Sequence, residues 1–355
     1  MAYSEGTATD QFDLLGKIKL FFEDEGWTIE SYVTDTSTYQ PTWTEGSSNA
    51  KRLHVSKSGR CLNFRSTYSA AIIPNYTSRR WGIGFNMGTA YDPSKGWADQ
   101  PGVARILSLD TEAPAYCWCN GAISYRMFLW DSPFTFLVHI KHSSTMFSQI
   151  YFGEISSKYG AWDGGDVFLS SWGENASDLT YTVNGKSFLG PEFSTDGSSS
   201  GYYDGALKIT TSGIVGSGNP WPTRGPHTYS VDSADSLFIP FMGHAASHGT
   251  SDVRRYEWLS NTLGDSLLQA MPSSFMSPIV LLSIQPAIIR SSSPLRYSLL
   301  GEFPHMKITA GPLSLQWQIV TYGGTQYILL PMGTPVTYSQ GCYINPLLAV
   351  EYEGS

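Results

Sequence analysis

The stretch from Phe134 to Ser171 constrains the fold of this chain more than any other. In FTFLVHIKH, Phe136, Val138 and Ile140 share one face while His139 and Lys141 take the other, which is the two-residue period of a β-strand. Ser143–Thr145 forms a short polar turn, and MFSQIYFGEIS returns with Phe147, Gln149 and Tyr151 opposed to Met146, Ser148, Ile150 and Phe152. A Gly-rich connection, KYGAWDGG, leads to a further short strand, DVFLSS. The hairpin predicts a β-rich core, and the polar residues on its second face predict that this face is partly wet.

The rest of the chain is suited to the same architecture. Charged residues make up 15% of the sequence, against about 25% in an ordinary soluble domain. Aromatic residues reach 14%, with 35 Gly and 20 Pro, a mixture that fills short strands, turns and ordered loops rather than long helices. The expected fold is mainly β, with antiparallel β-sandwich-like domains, an N-terminal amphipathic helix and long Gly/Pro-rich loops. The expected organisation is an N-terminal helix and ordered loop over 1–50, a first β domain over 51–190, a Gly/Ser-rich excursion or linker over 191–235, and a second β-rich region over 236–355.

The helix is TDQFDLLGKIKLFFEDEGW, in which Leu14, Leu15, Ile18, Phe21 and Phe22 form an apolar stripe. Thr9 or Asp10 can cap its start and Gly26 its end. It is expected to pack on a sheet or to serve as a docking element. KRLHVSKSGRCLNFRSTYSA reads as a hairpin turning at Lys57–Gly59. SLQWQIVTYGGTQYILLPM reads as another, with Gly323-Gly324 as its turn. RRYEWLSNTLGDSLLQAM is weakly helical, and INPLLAVEYE could add a last strand.

Several classes of function are disfavoured. The formal charge is −8 with no extended run of Lys and Arg, which argues against a nucleic-acid interface. No apolar run reaches the roughly 18 residues of a membrane span; the longest candidate, SFMSPIVLLSIQPAIIR, is broken by Pro278 and Pro286. The first residues lack the basic region and apolar core of a secretory signal, so synthesis is expected in the cytoplasm. Cys61, Cys117, Cys119 and Cys342 are too few and too irregular for a disulfide framework, and Cys117-Trp-Cys119 fits neither a zinc site nor a redox pair and is expected to be two buried thiols in a strand.

Candidate chemistry is sparse. Tyr91 and Trp97 lie in a Gly/Pro-rich loop and could stack on sugar rings, as could a second loop between Tyr202 and Trp221. The alternative is that these rings anchor their loops. Arg52 and Arg65 invite an anion, but no Gly-rich cradle accompanies them. Arg126 and Asp131 could pair across the sheet. Glu154, Asp163 and Asp166 form a carboxylate group of the kind glycoside hydrolysis uses. The DGGD sequence, however, reads as a wet turn in which Asp163 and Asp166 serve backbone hydrogen bonds, with Glu154 facing solvent. His139 with His142, and His244 with His248, do not form a metal signature. Neither enzymatic activity nor a cofactor is expected.

Taken together, DLLGKIKLFFEDEGWTI, KRLHVSKSGRCLNFRS, GIGFNMGTAYDPSKGWADQPG and QIYFGEISSKYGAWDGGDVFLSS, with LLGEFPHMKI and YGGTQYILLPM near the C-terminus, resemble a group of virion proteins of tailed bacteriophages. The resemblance implies a structural component of the tail, baseplate or tail tip, made in the host cytoplasm. Its partners would be other virion proteins and copies of itself. No catalytic residues are carried across. Tyr151–Gly153 and Lys158–Gly165 match the pattern most strongly, and Gly153, Gly160, Gly164 and Gly165 are expected to define the fold there, with Gly323 and Gly324 in the C-terminal hairpin. A host-surface glycan-binding adhesin and, less favoured, a glycan depolymerase are the rival readings.

Overall fold

The computed structural model describes residues 1–34, 51–70, 80–97, 100–102, 115–119, 121–143, 147–156, 166–170, 192–194, 202–204, 208–210, 235–238, 281–284, 287–290, 296–299, 301–311, 315–331, 336–337 and 343–353. In chain order the elements are β1 (Ala2–Ala8), α1 (Gln11–Asp24), β2 (Thr28–Thr34), β3 (Lys51–Lys57), β4 (Arg60–Ala70), β5 (Arg80–Gly88), β6 (Ala115–Trp118), β7 (Ile123–Asp131), β8 (Phe134–Lys141), β9 (Phe147–Glu154) and β10 (Asp166–Ser170). They continue with β11 (Glu192–Ser194), β12 (Tyr202–Asp204), β13 (Lys208–Thr210), β14 (Asp235–Phe238), β15 (Leu282–Ser283), β16 (Ala287–Arg290) and β17 (Arg296–Leu299). The last are β18 (Met306–Gly311), β19 (Ile319–Tyr322), β20 (Thr325–Pro331), β21 (Val336–Thr337) and β22 (Tyr343–Glu351). Antiparallel sheets dominate and α1 is the N-terminal helix, as a mainly β, sandwich-like reading of the sequence requires.

The β8–β9 hairpin lies at the middle of a sheet ordered β1-β7-β8-β9-β10-β13. Phe136 pairs with Phe152, Val138 with Ile150 and His139 with Gln149, so the alternation in the sequence sets the register. Phe134, Phe136, Val138 and Ile140, with Met127 and Leu129 of β7 and Ile150 and Phe152 of β9, face a core shared with α1 and with a second sheet, β2-β3-β4-β5-β6. That sheet contributes Leu53, Val55, Leu62, Phe64, Ile83, Phe85 and Met87.

Helix α1 starts where Asp10 accepts hydrogen bonds from the backbone N–H groups of Phe12 (2.9 Å) and Asp13 (2.8 Å), satisfying two of the donors a helix start leaves open. It stops at Gly26, whose φ of +72° suits glycine. Its stripe of Leu14, Leu15, Ile18, Phe21 and Phe22 is wholly buried. The Phe22 ring lies 4.5 Å from Phe136 of β8 and 6.1 Å from Phe64 of β4, centre to centre. The stripe joins the two sheets and is not exposed for docking. Residues 1–34 therefore share one core with the hairpins that follow.

The second face of the central sheet is where the structure departs from expectation. His139, Leu137, Gln149 and Tyr151 are all buried. A third sheet, β15-β18-β22-β20-β19, with β21 beside β22, supplies the cover. Phe303 packs on Tyr151 at 5.3 Å, His305 stacks on Trp130 at 4.7 Å, and Trp317 meets His139 and Phe147 at 5.3 and 5.8 Å. Backbone pairs cross as well: Ser156 and Glu302 exchange two 2.8 Å hydrogen bonds. Two of the buried polar groups of this face, His139 and Gln149, share one acceptor from the C-terminal segment, the Pro331 carbonyl. The central sheet is thus the middle of three layers.

Three of the expected glycines have clear physical roles. Gly323 and Gly324 take φ of +61° and +86° and make the tight turn joining β19 to β20. Gly153 instead permits a close approach: a Cβ there would lie 2.0 Å from the Tyr151 hydroxyl. Gly160, Gly164 and Gly165 lie outside the described residues, as does the weakly helical stretch 254–271. The C-terminal hairpin begins later than its alternation suggests. Trp317 N–H and Gln318 C=O both bond to Leu329, at 2.7 and 2.9 Å, so two residues oppose one and a bulge precedes β19. Trp317 takes the strained φ of +69° there.

Candidate functional site

The residues with chemical potential fall into four groups, each positioned by the layers just described. The loop after β5 was the candidate for sugar stacking. Its turn is built by Asp92, which accepts from Ser94 N–H at 2.8 Å, and by Gln100. The Gln100 amide donates to the carbonyls of Asp92, Lys95 and Gly96 at 3.1, 3.2 and 3.1 Å, and its oxygen accepts from Asp92 N–H at 2.7 Å. Trp97 is 2% exposed, so its ring faces are not offered to a ligand. Tyr91 lies 5.0 Å from the His54 ring. Trp97 thus packs inward, while Tyr91 is half-buried beside His54.

Beneath Tyr91 runs a buried polar row across β3, β4 and β5. His54 Nδ1 donates to Asn63 Oδ1 at 2.6 Å, Asn63 Nδ2 donates to Asn86 Oδ1 at 2.7 Å, and the Cys61 thiol donates to Asn63 Oδ1 at 3.3 Å. These strands present the residues because β3, β4 and β5 alternate, with Leu53, Val55, Leu62, Phe64 and Phe85 turned to the core. Arg52 and Arg65 are cross-strand partners on this same outer side, and Arg65 is buried.

The carboxylate group takes an unexpected form. Asp166 is the first residue of β10, opposite Glu154 of β9, and is not part of a wet turn; Asp163 lies outside the described residues. Arg60, at the start of β4, donates through Nε and Nη2 to the two Asp166 oxygens at 2.8 and 3.0 Å, and through Nη2 to Glu154 at 2.9 Å. Its guanidinium also lies 4.9 Å from the Phe134 ring centre. The side chains of Arg60 and Asp166 are 22% and 19% exposed and that of Glu154 is 42% exposed. Burial pulls the Arg60 pKa down, but the hydrogen bonds and charges of Asp166 and Glu154 outweigh it and the net shift is upward. Asp166 is also raised, because burial acts on it more strongly than the Arg60 attraction. The paired hydrogen bonds fit a charged clamp that ties β10 and β9 to the opposite sheet. Both carboxyls are hydrogen-bonded to one guanidinium.

Removing Arg60 has a pH signature. Arg60→Met leaves two carboxylates facing each other with no cation between them. Their exposure to solvent tempers the cost, and about 2 kcal/mol of stability is the expected loss at pH 7. Without Arg60 the folded pKa of Asp166 rises further above its ordinary 3.8. A carboxyl raised in this way favours the folded state when protonated, and that benefit is lost as pH rises through the folded pKa. The deficit of Arg60→Met in urea denaturation should therefore shrink between pH 7 and pH 4; a deficit that does not vary with pH would refute the clamp.

Histidines and cysteines form the third group. His139, on the second face of β8, places Nε2 2.7 Å from Pro331 O, and the Gln149 amide donates to the same carbonyl at 3.4 Å. Burial drives the His139 pKa down to about 4, against an opposing backbone bond and with Arg126 and Lys141 adding to the depression. The ring is neutral and Nε2–H is the donor. His142 Nε2 meets Ser148 Oγ at 2.7 Å, and burial takes this ring to about 3. Cys61 and Cys117 are pushed up to about 12 by burial and Cys119 also rises for that reason, so these three are buried thiols without thiolate reactivity. Cys342, His244 and His248 lie outside the described residues. Among the described residues no cluster of His, Cys, Asp or Glu is arranged to hold a metal ion, and no helix is long and apolar enough to cross a membrane.

The fourth group was not visible in the sequence. Arg126 does not pair with Asp131: its Nε lies 3.1 Å from Glu5 of β1, and Asp131 instead binds Lys57 at 2.8 Å. Arg126 and Lys141 both lie over the Trp317 ring, at 4.4 and 5.5 Å. His305 Nδ1 meets Glu351 at 2.7 Å and its Nε2 meets Pro133 O at 3.2 Å, fastening the β7–β8 turn to the third sheet. All of these link segments far apart in the chain. No family model matches the chain, and no curated protein matches it.

Proposed function

We propose that the protein is a structural component of a tailed-phage virion, of its tail, baseplate or tail tip, acting through contacts with other virion proteins and with copies of itself. The observation that carries this reading is the use to which its reactive side chains are put. Arg60, Glu154 and Asp166 join two sheets, His139 joins the central sheet to the third, and Trp97 is packed inward. A surface poor in charge belongs with a protein that lives in an assembly, and the sequence blocks that resemble virion proteins span most of the layers described. In the first candidate loop of the adhesin reading Trp97 is buried and Tyr91 half-buried; the second, between Tyr202 and Trp221, lies largely outside the described residues. The depolymerase reading would have to draw on Glu154 and Asp166, which here hold the Arg60 guanidinium. Mass spectrometry of washed particles from cells producing the phage tests the proposal: the chain is expected in stoichiometric amount, and its absence from particles retaining known tail proteins would overturn the assignment.

A further inference from the structure

We infer that the open edge of β19 is a self-association surface, through which two copies of this chain pair antiparallel about a two-fold axis and join their third sheets into one. Among the described residues β19 ends its sheet and is bonded only to β20. Gln318 C=O accepts from Leu329 N–H at 2.9 Å, and Tyr322 faces Thr325 across the two-residue turn. In an antiparallel ladder the inward-bonding residues alternate with outward ones. The Gln318 carbonyl and the backbone groups of Val320 and Tyr322 therefore turn to β20, and Ile319 and Thr321 turn theirs to the open side. Ile319 is 51% and Tyr322 40% exposed, and Gln318, Thr321 and 323–326 are exposed with them. A row of open N–H and C=O groups on an exposed strand is complementary to another strand.

The other strand edges described here carry devices against such pairing. β1 has Glu5, β2 has Glu30 and a register shift between Ile29 and Ser31, and β13 has Lys208. In the two small sheets, β11 has Glu192, β12 Asp204, β14 Asp235 and β17 Arg296. β6 packs against β9 and β10, and β15 and β21 are two residues long. The 318–326 segment, QIVTYGGTQ, has no charge and no proline.

The occupant is a second copy because this strand is complementary to itself. Centred on Val320, the pairing sets Ile319 against the partner's Thr321, Val320 against the partner's Val320, and Gln318 against the partner's Tyr322. These are β-branched pairs and an amide–phenol pair, of the kinds that stabilise neighbouring strands. Ile319 and Thr321 of each copy then exchange backbone hydrogen bonds with their counterparts. Two chains of net charge −8 repel one another over most of their surfaces, and this hairpin lets them meet without opposing like charges.

Sedimentation velocity of the full chain from about 1 to 100 μM tests the pairing. The expected result is a reversible monomer–dimer equilibrium within that range. Thr321→Pro removes an outward N–H that the hairpin itself does not use, and Ile319→Lys adds a charge at an exposed position. Each should weaken the dimer at least about tenfold while leaving the thermal unfolding of the monomer in place. A wild-type chain that stays monomeric at the highest concentration overturns the inference, as does a folded Ile319→Lys variant that dimerises like wild type. Should Thr321→Pro fail to fold, Ile319→Lys decides alone. The pairing is a property of the hairpin and does not depend on the virion proposal, whose own test is the composition of washed particles.

Discussion

Phe136→Ala is expected to lower the unfolding free energy by about 3–5 kcal/mol, the largest effect of any single substitution considered. The ring sits where three elements converge: it lies 4.5 Å from Phe22 and 6.2 Å from Phe21 of α1, 6.3 Å from Phe64 of β4, and 6.3 Å from Phe152 on the neighbouring strand. Truncation removes a buried aromatic and leaves a cavity lined by other rings, which cannot collapse without moving a helix and two sheets. Urea denaturation followed by tryptophan fluorescence would read the loss as a lower midpoint. Leu20→Ala, on the open side of the same helix at 50% exposure, is the control and should stay within about 0.5 kcal/mol of wild type. Comparable losses at both positions would refute the placement of Phe136 at the convergence of the layers.

The second large effect is acid lability at His139. Its pKa falls from the ordinary 6.5 to about 4 in the folded protein. A group whose folded pKa is depressed contributes stability that is present above its unfolded pKa and is lost as pH falls toward the folded value. The window is therefore pH 6.5 down to about 4, and the linked loss reaches roughly 3 kcal/mol at its acid end. His139→Gln keeps an N–H donor for Pro331 O and has nothing to protonate. The variant should match or trail wild type at pH 7.5 and overtake it, relative to that starting point, by pH 4.5. Parallel stability–pH curves for the two proteins would show that His139 is not the buried neutral group described. Arg126 and Lys141, which flank the ring, oppose its protonation from β7 and β8.

Both residues lie in the hairpin that the sequence made most legible, and they differ in how much of their role could be read there. Phe136 was placed on the core face by alternation alone, and the helix stripe by its 3.6-residue period. Local periodicity carries that information because each apolar residue reports its own burial. His139 and Gln149 were assigned to a partly wet face because polar residues usually mark one. Their partner, Pro331 O, lies 192 residues from His139, and no local pattern announces an acceptor at that distance. The Arg60 clamp was missed for the same reason: its carboxylates are 94 and 106 residues away, and Arg60 itself sits inconspicuously after a hairpin turn. Trp97 shows the limit from the other direction. An aromatic in a Gly/Pro loop reads identically whether its ring faces solvent or the body, and it is the burial of Trp97 in the folded loop that distinguishes the two.

The middle position of the β7–β8–β9 sheet has a consequence for how the chain is made. Translation delivers residues 123–154 well before 301–351, so the face bearing Leu137, His139, Gln149 and Tyr151 is complete while its cover is still being synthesised. During that interval the nascent protein displays a sheet with one finished core and one bare side on which apolar Leu137 and Tyr151 stand beside His139 and Gln149. The C-terminal segment therefore acts as a late-arriving lining for a surface already formed, and a ribosome that stalls before residue 301 leaves behind a folded but adhesive intermediate.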